Sequence, residues 1–363
     1  MSNARTPLTG SSQRTTDVIV VGDGVIGLAC ALAIARAGGS CRVLGQRERG
    51  AASPASGGLL APSIGSADDE FRAFMRSSRD LYPEWVRWLA ERTGVDITLS
   101  RSGIIELLID AGQIASLSAE ALDSAALRSM EPELAWSGAA RIHGDDGFVD
   151  NVRLLAALTE AVRCEWSIDS GEGRVAAIQA GVDGCSVSTE DGRTQPTRRV
   201  VIAAGAWSPL IAGLPRPIPV EPVRGQMLLL HGCPINHALS TPDGYLVPRG
   251  ESTLIGSTLE RVGFDNTTTS TAKERLRAAA VAVLPALGAA EVDGFWAGLR
   301  PMTPDGLPLL GRDPDLPSVI YACGHGKNGI LLAPITGDVV AAIAADSTPA
   351  YDISRYAVER FLS

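Results

Sequence analysis

A glycine-rich turn near the start of the chain is the first segment whose residue types can do chemistry. The run Gly22-Asp23-Gly24-Val25-Ile26-Gly27 follows a short apolar strand candidate at 17–21 and precedes helix-forming residues through Ala37. Glycines at these positions permit a tight turn and let a pyrophosphate approach the helix N-terminus, where free N–H groups and the helix dipole favour negative charge. Because it joins a strand to a helix, the turn predicts dinucleotide binding.

The acidic residue that normally accompanies such a turn is missing from its expected place. In dinucleotide-binding folds an Asp or Glu at the end of the second strand binds the ribose hydroxyls. Here that strand candidate runs into Leu44-Gly45-Gln46-Arg47-Glu48, and Gly45 occupies the acidic position. Gln46, Glu48 or main-chain groups remain candidates for the ribose, and Arg47 would permit a 2′-phosphate instead.

Two motifs near the C-terminus form a second group of residues with chemical potential. One is Phe295-Trp296-Ala297-Gly298-Leu299-Arg300-Pro301, and the other is Cys323-Gly324-His325-Gly326-Lys327-Asn328-Gly329, which opens a helix candidate. A glycine-punctuated loop that leads into a helix supplies a second helix N-terminus, suited to stabilising negative charge on a reduced ring system. Two anion-type sites in one chain indicate a large cofactor.

The elements that position these motifs indicate an α/β chain. The first 45 residues predict a right-handed βαβ unit, and 199–205 predicts another buried strand. Strand-like runs between 223 and 257, separated by turn signals, indicate an antiparallel sheet, and the end of the chain returns to a strand at 319–323 and a helix at 329–344. A long amphipathic helix beginning near Asp68 is expected to be kinked or divided by Pro83.

Composition and charge exclude several classes of function. With 45% hydrophobic and 20% charged residues, the 363-residue chain can bury a sizeable core, and the net charge of −9 leaves no basic surface for nucleic acid or an anionic membrane. The six cysteines and four histidines lack metal-ligand spacing, so no metal and no disulfide framework is predicted, and a cytoplasmic, reducing compartment fits. No apolar run reaches about 20 residues, and 1–15 is expected to be a disordered tail.

Together these motifs resemble those of the D-amino-acid oxidase superfamily, and most closely those of its glycine oxidases. The resemblance runs from Asp17 to about Asp346. Besides the motifs above, it is carried by Ala51-Ala52-Ser53-Pro54-Ala55-Ser56-Gly57-Gly58-Leu59-Leu60, by Ala203-Ala204-Gly205-Ala206-Trp207-Ser208 and by Pro222-Val223-Arg224-Gly225-Gln226. It implies a Rossmann-like FAD-binding domain (17–82, 147–219 and 298–363) interleaved with an antiparallel-sheet α+β substrate-binding domain (83–146 and 220–297).

The resemblance also implies FAD held without a covalent link. Arg300 stands where a flavin-attaching cysteine is expected in the related sarcosine oxidases. The residues expected to contact the cofactor are Gly22, Gly24, Val25, Ile26, Gly27, Gly45, Gln46, Ala52, Ser53, Ser56, Gly57, Gly58, Val175, Ala204, Gly205, Trp207, Arg300, His325, Gly326, Lys327, Asn328, Gly329, Ile330 and Leu331.

By the same resemblance, three side chains hold the substrate. Arg300 is expected to bind the substrate carboxylate, which suits a planar guanidinium that donates two parallel hydrogen bonds. Tyr245 is expected to hydrogen-bond the same carboxylate. Lys327, which replaces a common arginine, is expected to play a supporting role.

Two glycines bear on which amine is oxidised. Gly58 and Gly326 stand where glycine oxidases carry bulkier residues, which predicts a pocket enlarged toward N-substituted glycines such as sarcosine. Leu60, larger than the usual glycine, would offset part of that space.

The expected activity is the oxidation of glycine or an N-substituted glycine. Hydride transfer from the amine-bearing carbon to flavin N5 would give an imine that hydrolyses to glyoxylate or another 2-oxo acid and to ammonia or an amine, while oxygen becomes hydrogen peroxide. No protein base is required, because positioning and the flavin carry the step. Two alternatives stay open: a D-amino-acid dehydrogenase that uses a quinone acceptor, and an N-carboxymethyl amino acid oxidase. The expected partners are the small-molecule substrate and molecular oxygen, and a homo-oligomer is compatible with the resemblance.

Overall fold

Strands account for much of the chain. The computed structural model describes residues 16–65, 68–109 and 121–362, so the tail predicted at 1–15 lies outside the described residues. The strands, in chain order, are β1 (Thr16–Val21), β2 (Cys41–Gly45), β3 (Leu59–Leu60), β4 (Leu99–Ser100), β5 (Ile104–Leu108), β6 (Ala121–Leu122), β7 (Ala139–His143), β8 (Gly147–Val149), β9 (Ile168–Glu172), β10 (Val175–Gly181), β11 (Gly184–Thr189), β12 (Thr194–Ile202), β13 (Glu221–His231), β14 (Ala238–Thr241), β15 (Gly244–Arg249), β16 (Ser252–Gly256), β17 (Val292–Met302), β18 (Leu309–Arg312) and β19 (Val319–Cys323).

The helices fall between and after these strands. They are α1 (Val25–Arg36), α2 (Ala52–Ala55), α3 (Asp69–Thr93), α4 (Ser124–Met130), α5 (Asn151–Cys164), α6 (Ser270–Val283) and α7 (Gly329–Ala344). Short 3-10 helices lie at Gly205–Leu210, Pro285–Leu287, Gly326–Asn328, Ser354–Tyr356 and Val358–Phe361.

The strands pair into two large sheets and a small one. In the first sheet β9, β2, β1, β12 and β19 pair in parallel in that order, and β10, β11 and β18 add antiparallel partners. The second sheet has the order β17-β13-β16-β15-β14-β5-β7-β6 and is antiparallel except where β14 pairs in parallel with β5. The third joins β3, β8 and β4. The predicted parallel and antiparallel regions are therefore both present.

Alternate residues of β1 face two different hydrophobic cores. Val18 and Val20 belong to the core that contains the buried faces of α1, α3, α5 and α7, whereas Ile19 and Val21 belong to a second core on the other face of the sheet. All four side chains are buried. Burial on both faces explains why the strand reads as a continuous apolar run, as parallel strands do.

Helix α3 is continuous, so Pro83 does not divide it as one of the two expectations had it, and a kink at Pro83 stays a prediction. The Asp68 carboxylate accepts the N–H of Phe71 at 2.9 Å where the helix begins. An interior proline costs a helix about 3 kcal/mol. The side chains of Tyr82 and Trp85 beside it are buried in the core, and two buried aromatic side chains offset a cost of that size.

Two of the predicted domain boundaries fall inside continuous elements. The boundary between 82 and 83 lies within α3, and the one between 297 and 298 lies within β17. Strand β17 pairs with β13 of the second sheet from end to end. It also contacts the predicted FAD-binding domain, because the N–H of Leu299 donates to the Gly50 carbonyl at 2.8 Å and Trp296 Nε1 donates to the Ala55 carbonyl at 3.1 Å. Strand β17 is therefore shared by the two predicted domains.

One apolar stretch in the described ranges has the length needed to cross a membrane. It is Gly326–Ala344, which contains α7, and 72% of its apolar segment is buried inside the protein. Buried core helices can be equally long and apolar, and α7 packs closely against α1 and α3. Its apolar composition is therefore explained by burial in the protein interior.

Candidate functional site

A cavity of about 560 Å³ lies at the carboxyl edge of the parallel strands. Strands β1, β2, β12 and β19 end at this edge, and the loops that follow them line the cavity. Open α/β sheets bind ligands at this edge, because the carboxyl ends of parallel strands meet there. Side chains of β13, β15 and β17 form the opposite wall. One space thus joins the glycine turn to the antiparallel sheet.

The glycine turn is held tightly against two neighbouring strands. The N–H of Gly22 donates to the Leu44 carbonyl at 2.8 Å, and the residue adopts a φ of +117°. A Cβ atom at this position would lie 2.3 Å from the Ala203 carbonyl oxygen. Glycine is required here by both the backbone angle and the close approach.

Two helices begin at the cavity wall. Helix α1 starts at Val25, whose N–H donates to the Ser53 hydroxyl at 3.0 Å, and α7 starts at Gly329. Both first turns are fully described, and neither contains an acidic residue. Two helix N-termini without acidic residues favour negative charge at two points of the same cavity.

Arg300 projects its guanidinium from β17 into the cavity. Nη1 donates to the Thr258 carbonyl at 3.1 Å, and Nη2 donates to the Ser257 hydroxyl at 2.5 Å. Burial lowers the pKa of Arg300 below its ordinary value, but an arginine stays charged at neutral pH. Among the described residues, no carboxylate forms an ion pair with this guanidinium. The cavity therefore presents a positive charge held only by neutral groups.

Tyr245 lies beside Arg300 on the same face of the second sheet. Its hydroxyl contacts the sulfur of Met227 at 3.4 Å. Burial raises the pKa of Tyr245, and the Arg300 charge opposes that shift, so the phenol keeps its proton at neutral pH. A protonated phenol next to a guanidinium can donate a further hydrogen bond to a bound carboxylate.

Two glycines leave room for these side chains to lie across the sheet. A Cβ atom on Gly225 would lie 2.3 Å from both terminal nitrogens of Arg300, and one on Gly256 would lie 2.4 Å from Tyr245 Cζ. Any side chain at either position would push the guanidinium or the phenol away. These two glycines therefore set the positions of the Arg300 guanidinium and the Tyr245 phenol.

Lys327 and His325 belong to the loop before α7. Lys327 is exposed, and its pKa is lowered because the ammonium group loses hydration in the cavity and faces the Arg300 charge. His325 is buried, and its ring lies 3.1 Å from the Thr336 hydroxyl. Burial lowers the pKa of His325 to about 3, so the ring is neutral at neutral pH.

The neutral state of His325 makes stability depend on pH. Because the unfolded residue has an ordinary pKa of 6.5, the unfolded chain binds the extra proton between pH 6.5 and about 3, and stability falls as pH drops. We expect His325 to make the free energy of unfolding about 2 kcal/mol lower at pH 5 than at pH 7.5. Thermal melts at both pH values should show a smaller drop for His325→Gln than for the unaltered chain; equal drops would contradict the assignment.

The structure brings most of the predicted site residues together. All the predicted catalytic residues and most of the predicted cofactor residues line the cavity. Gly27 and Leu331 do not. A Cβ atom on Gly27 would lie 1.9 Å from the Gly22 carbonyl oxygen, so this glycine shapes the turn. Leu331 is buried in α7, and its carbonyl accepts the Ser78 hydroxyl at 2.7 Å.

Gly58 and Gly326 both line the cavity, and the prediction that they enlarge the pocket stays a prediction. Gly58 has a φ of +74°, and a Cβ atom there would lie 2.0 Å from the Val149 carbonyl oxygen, so this backbone leaves no room for a side chain. A Cβ atom on Gly326 would lie 2.9 Å from the Met302 sulfur, so Met302 already fills that direction. Leu60 is buried in the core and does not line the cavity.

Sequence reasoning missed four residues that surround Arg300 and Tyr245 in the cavity. Ser257 and Thr258 supply the acceptors that hold Arg300, Met227 contacts Tyr245, and Gly225 leaves space for the guanidinium. Gly225 belongs to the segment 222–226, which carries part of the family resemblance, but nothing in a single sequence shows that it lies against Arg300. The pairing of β13 with β17 creates that neighbourhood.

Comparisons with known proteins place the chain in a family. Residues 17–343 match the family described as FAD dependent oxidoreductase, DAO. The glycine oxidase of Pseudomonas putida is 33% identical in an alignment, gaps included, of 370 positions, which covers 94% of this chain and 98% of the relative. The bifunctional protein ThiO/ThiG of Synechocystis sp. is 34% identical over 371 residues, which cover 97% of this chain and 55% of the relative; the chain thus spans about half the length of that protein.

A solved structure supports the same relationship. The crystal structure of glycine oxidase from Geobacillus kaustophilus aligns with a TM-score of 0.87 at 31% sequence identity, over 96% of this chain and 99% of that chain. The crystal structure of iminodiacetate oxidase from Chelativorans sp. aligns with a TM-score of 0.87 at 21% identity and shows the same fold.

Proposed function

Because the chain belongs to the FAD dependent oxidoreductase (DAO) family, as a FAD-dependent amino acid or amine oxidase similar to the glycine oxidases, we propose that its substrate is glycine or a small N-substituted glycine. The products are an imine that hydrolyses to glyoxylate and an amine or ammonia, together with hydrogen peroxide. We place this reaction in the cytoplasm.

The residues around the cavity fit FAD. The Gly22 turn and the start of α1 would hold the pyrophosphate, because the backbone approaches closely there and the first turn of the helix has no acidic residue. The loop from His325 to Gly329 would lie beside the flavin, with a second helix N-terminus and Lys327 favouring negative charge. When bound, FAD accepts the electrons of the substrate and passes them to oxygen.

The single observation that carries the substrate proposal is the unpaired Arg300 guanidinium. Arg300 is half-buried, and a positive charge inside a cavity without a carboxylate partner favours a ligand that supplies the negative charge. A substrate carboxylate would complete this pair by accepting two hydrogen bonds from Arg300, and Tyr245 would donate a third. Such a grip fixes the carbon next to the carboxylate, and positioning of this kind supplies a large part of the rate in oxidations that need no protein base.

The apolar side chains near Arg300 limit the size of the substrate. Met227 and Ile64 line the cavity and pack in the same hydrophobic cluster as Tyr245, which lies beside Arg300. The space next to Gly58 and Gly326 is occupied by the Val149 carbonyl and the Met302 sulfur, so a small amine is favoured over a bulky one. Glycine and sarcosine are therefore the first substrates to test.

The test is a peroxide-release assay on the purified protein with its visible spectrum recorded. We expect glycine or sarcosine to yield glyoxylate and hydrogen peroxide in about equal amounts. Glycinamide and sarcosinamide are matched controls, because each keeps the amine of its acid and replaces the carboxylate with a neutral amide. Turnover of the amides at the rate of the acids would contradict the proposal, as would the absence of glyoxylate from both acids.

A further inference from the structure

The side chain of Asp23 occupies the space beside Gly45, where a ribose-binding acid is expected. A Cβ atom built on Gly45 would lie 2.7 Å from Asp23 Cβ and 2.8 Å from Asp23 Cγ. The side chain of Asp23 therefore fills the volume in which a side chain at position 45 would begin. The backbone nitrogen of Asp23, also 2.8 Å from that Cβ position, keeps residue 45 a glycine.

The Asp23 carboxylate faces the cavity with little to hold it. Asp23 lines the cavity together with Gly45 and Gln46. Arg47 Nε lies 4.0 Å from the carboxylate, with side chains 46% and 32% exposed, so this ion pair is weak. Within the described ranges no N–H or O–H group donates a hydrogen bond to it. The carboxylate is free to accept hydrogen bonds from a ligand.

The other carboxylates at this end of the cavity are already engaged. Arg174 lies 3.1 Å from a carboxylate oxygen of Glu48 and 3.5 Å from one of Glu190. Gln46 carries no charge, and hydrogen bonds to a charged acceptor are stronger than those to a neutral one. Asp23 is therefore the better acceptor for sugar hydroxyls.

We propose that Asp23 binds the ribose hydroxyls in the adenosine half of FAD. The acid that dinucleotide-binding folds place at the end of the second strand is supplied here from within the glycine turn, and Gly45 makes room for it. A carboxylate has two oxygens and can accept both the 2′ and the 3′ hydroxyl. Its negative charge beside Arg47 also disfavours a 2′-phosphate, which removes the alternative left open by the sequence.

Titration of the full-length chain, stripped of flavin, tests this assignment. Asp23→Asn keeps the size of the side chain and removes its charge, and we expect it to raise the Kd for FAD by about 10-fold or more. The Kd for FMN, which lacks the adenosine ribose, should stay within about twofold. Glu48→Gln is the matched control, with a change in FAD affinity below about threefold. Equal weakening of FAD and FMN, unchanged FAD binding, or a larger effect of Glu48→Gln would overturn the proposal.

A second measurement needs no variant. In the unaltered chain, ADP should displace FAD at least about 10-fold better than 2′,3′-dideoxy-ADP, because only ADP presents the hydroxyls. In Asp23→Asn that difference should largely disappear. Equal competition by both nucleotides in the unaltered chain, or an undiminished difference in the variant, would assign ribose recognition to another group.

Discussion

Replacing Arg300 with methionine is expected to lower kcat/KM for glycine by roughly 100-fold. The substitution removes the charge that would pair with the substrate carboxylate, and the loss of one partner of a buried, hydrogen-bonded charge pair costs about 3 kcal/mol or more. Most of the loss should appear in KM, because the carboxylate is held both before and during the reaction. Steady-state kinetics of peroxide release measure both constants.

Arg300→Lys separates charge from geometry. It keeps a positive charge but loses the planar fork, so we expect an intermediate loss of about 10-fold in kcat/KM. Both variants should retain as much bound flavin as the unaltered protein, which would show that cofactor binding is intact. Normal turnover of glycine by Arg300→Met would exclude this residue as the carboxylate receptor.

Gly225→Ala is expected to lower kcat/KM for glycine by roughly 100-fold, although alanine differs by one methyl group. The new Cβ atom would lie 2.3 Å from both terminal nitrogens of Arg300, so the guanidinium must leave its place. The loss should approach that of Arg300→Met, because displacement and removal of the charge have the same effect on the substrate. Kinetics and the flavin spectrum are the measurements.

A double variant distinguishes this mechanism from general destabilisation. If Gly225 acts through Arg300, Gly225→Ala combined with Arg300→Met should be little worse than Arg300→Met alone, since interacting residues are not additive. Gly144→Ala is the matched control, because a Cβ atom there meets nothing within 4 Å. Losses that multiply in the double variant would show that Gly225 affects activity by another route.

Local patterns predicted the elements that carry the cofactor site. The strand predicted at 319–323 and the helix predicted at 329–344 match β19 and α7 at both ends. The glycine turn also lies where the strand-to-helix pattern placed it. These predictions succeed because burial, periodicity and glycine placement are properties of neighbouring residues.

The sequence was least informative where residues far apart in the chain decide the local environment. A single sequence does not show that the Val149 carbonyl blocks the direction of a side chain at Gly58. The environment of Arg300 could not be predicted from the sequence, because Ser257 and Thr258 come close to Arg300 only when β13 pairs with both β16 and β17. The role of Asp23 was missed because its contact with Gly45 depends on how the turn packs against β2.

Strand β17, which the two predicted domains share, affects how substrate can enter the enzyme. A hinge motion that separated the two domains would have to break the hydrogen bonds from Leu299 to Gly50 and from Trp296 to Ala55, or pull β17 away from β13. Opening of the cavity by rigid-body rotation of the domains is therefore disfavoured, and substrate exchange requires local motion of the loops and side chains that line the cavity. Catalytic turnover should then be sensitive to substitutions in the cavity loops and insensitive to crosslinks between the two predicted domains.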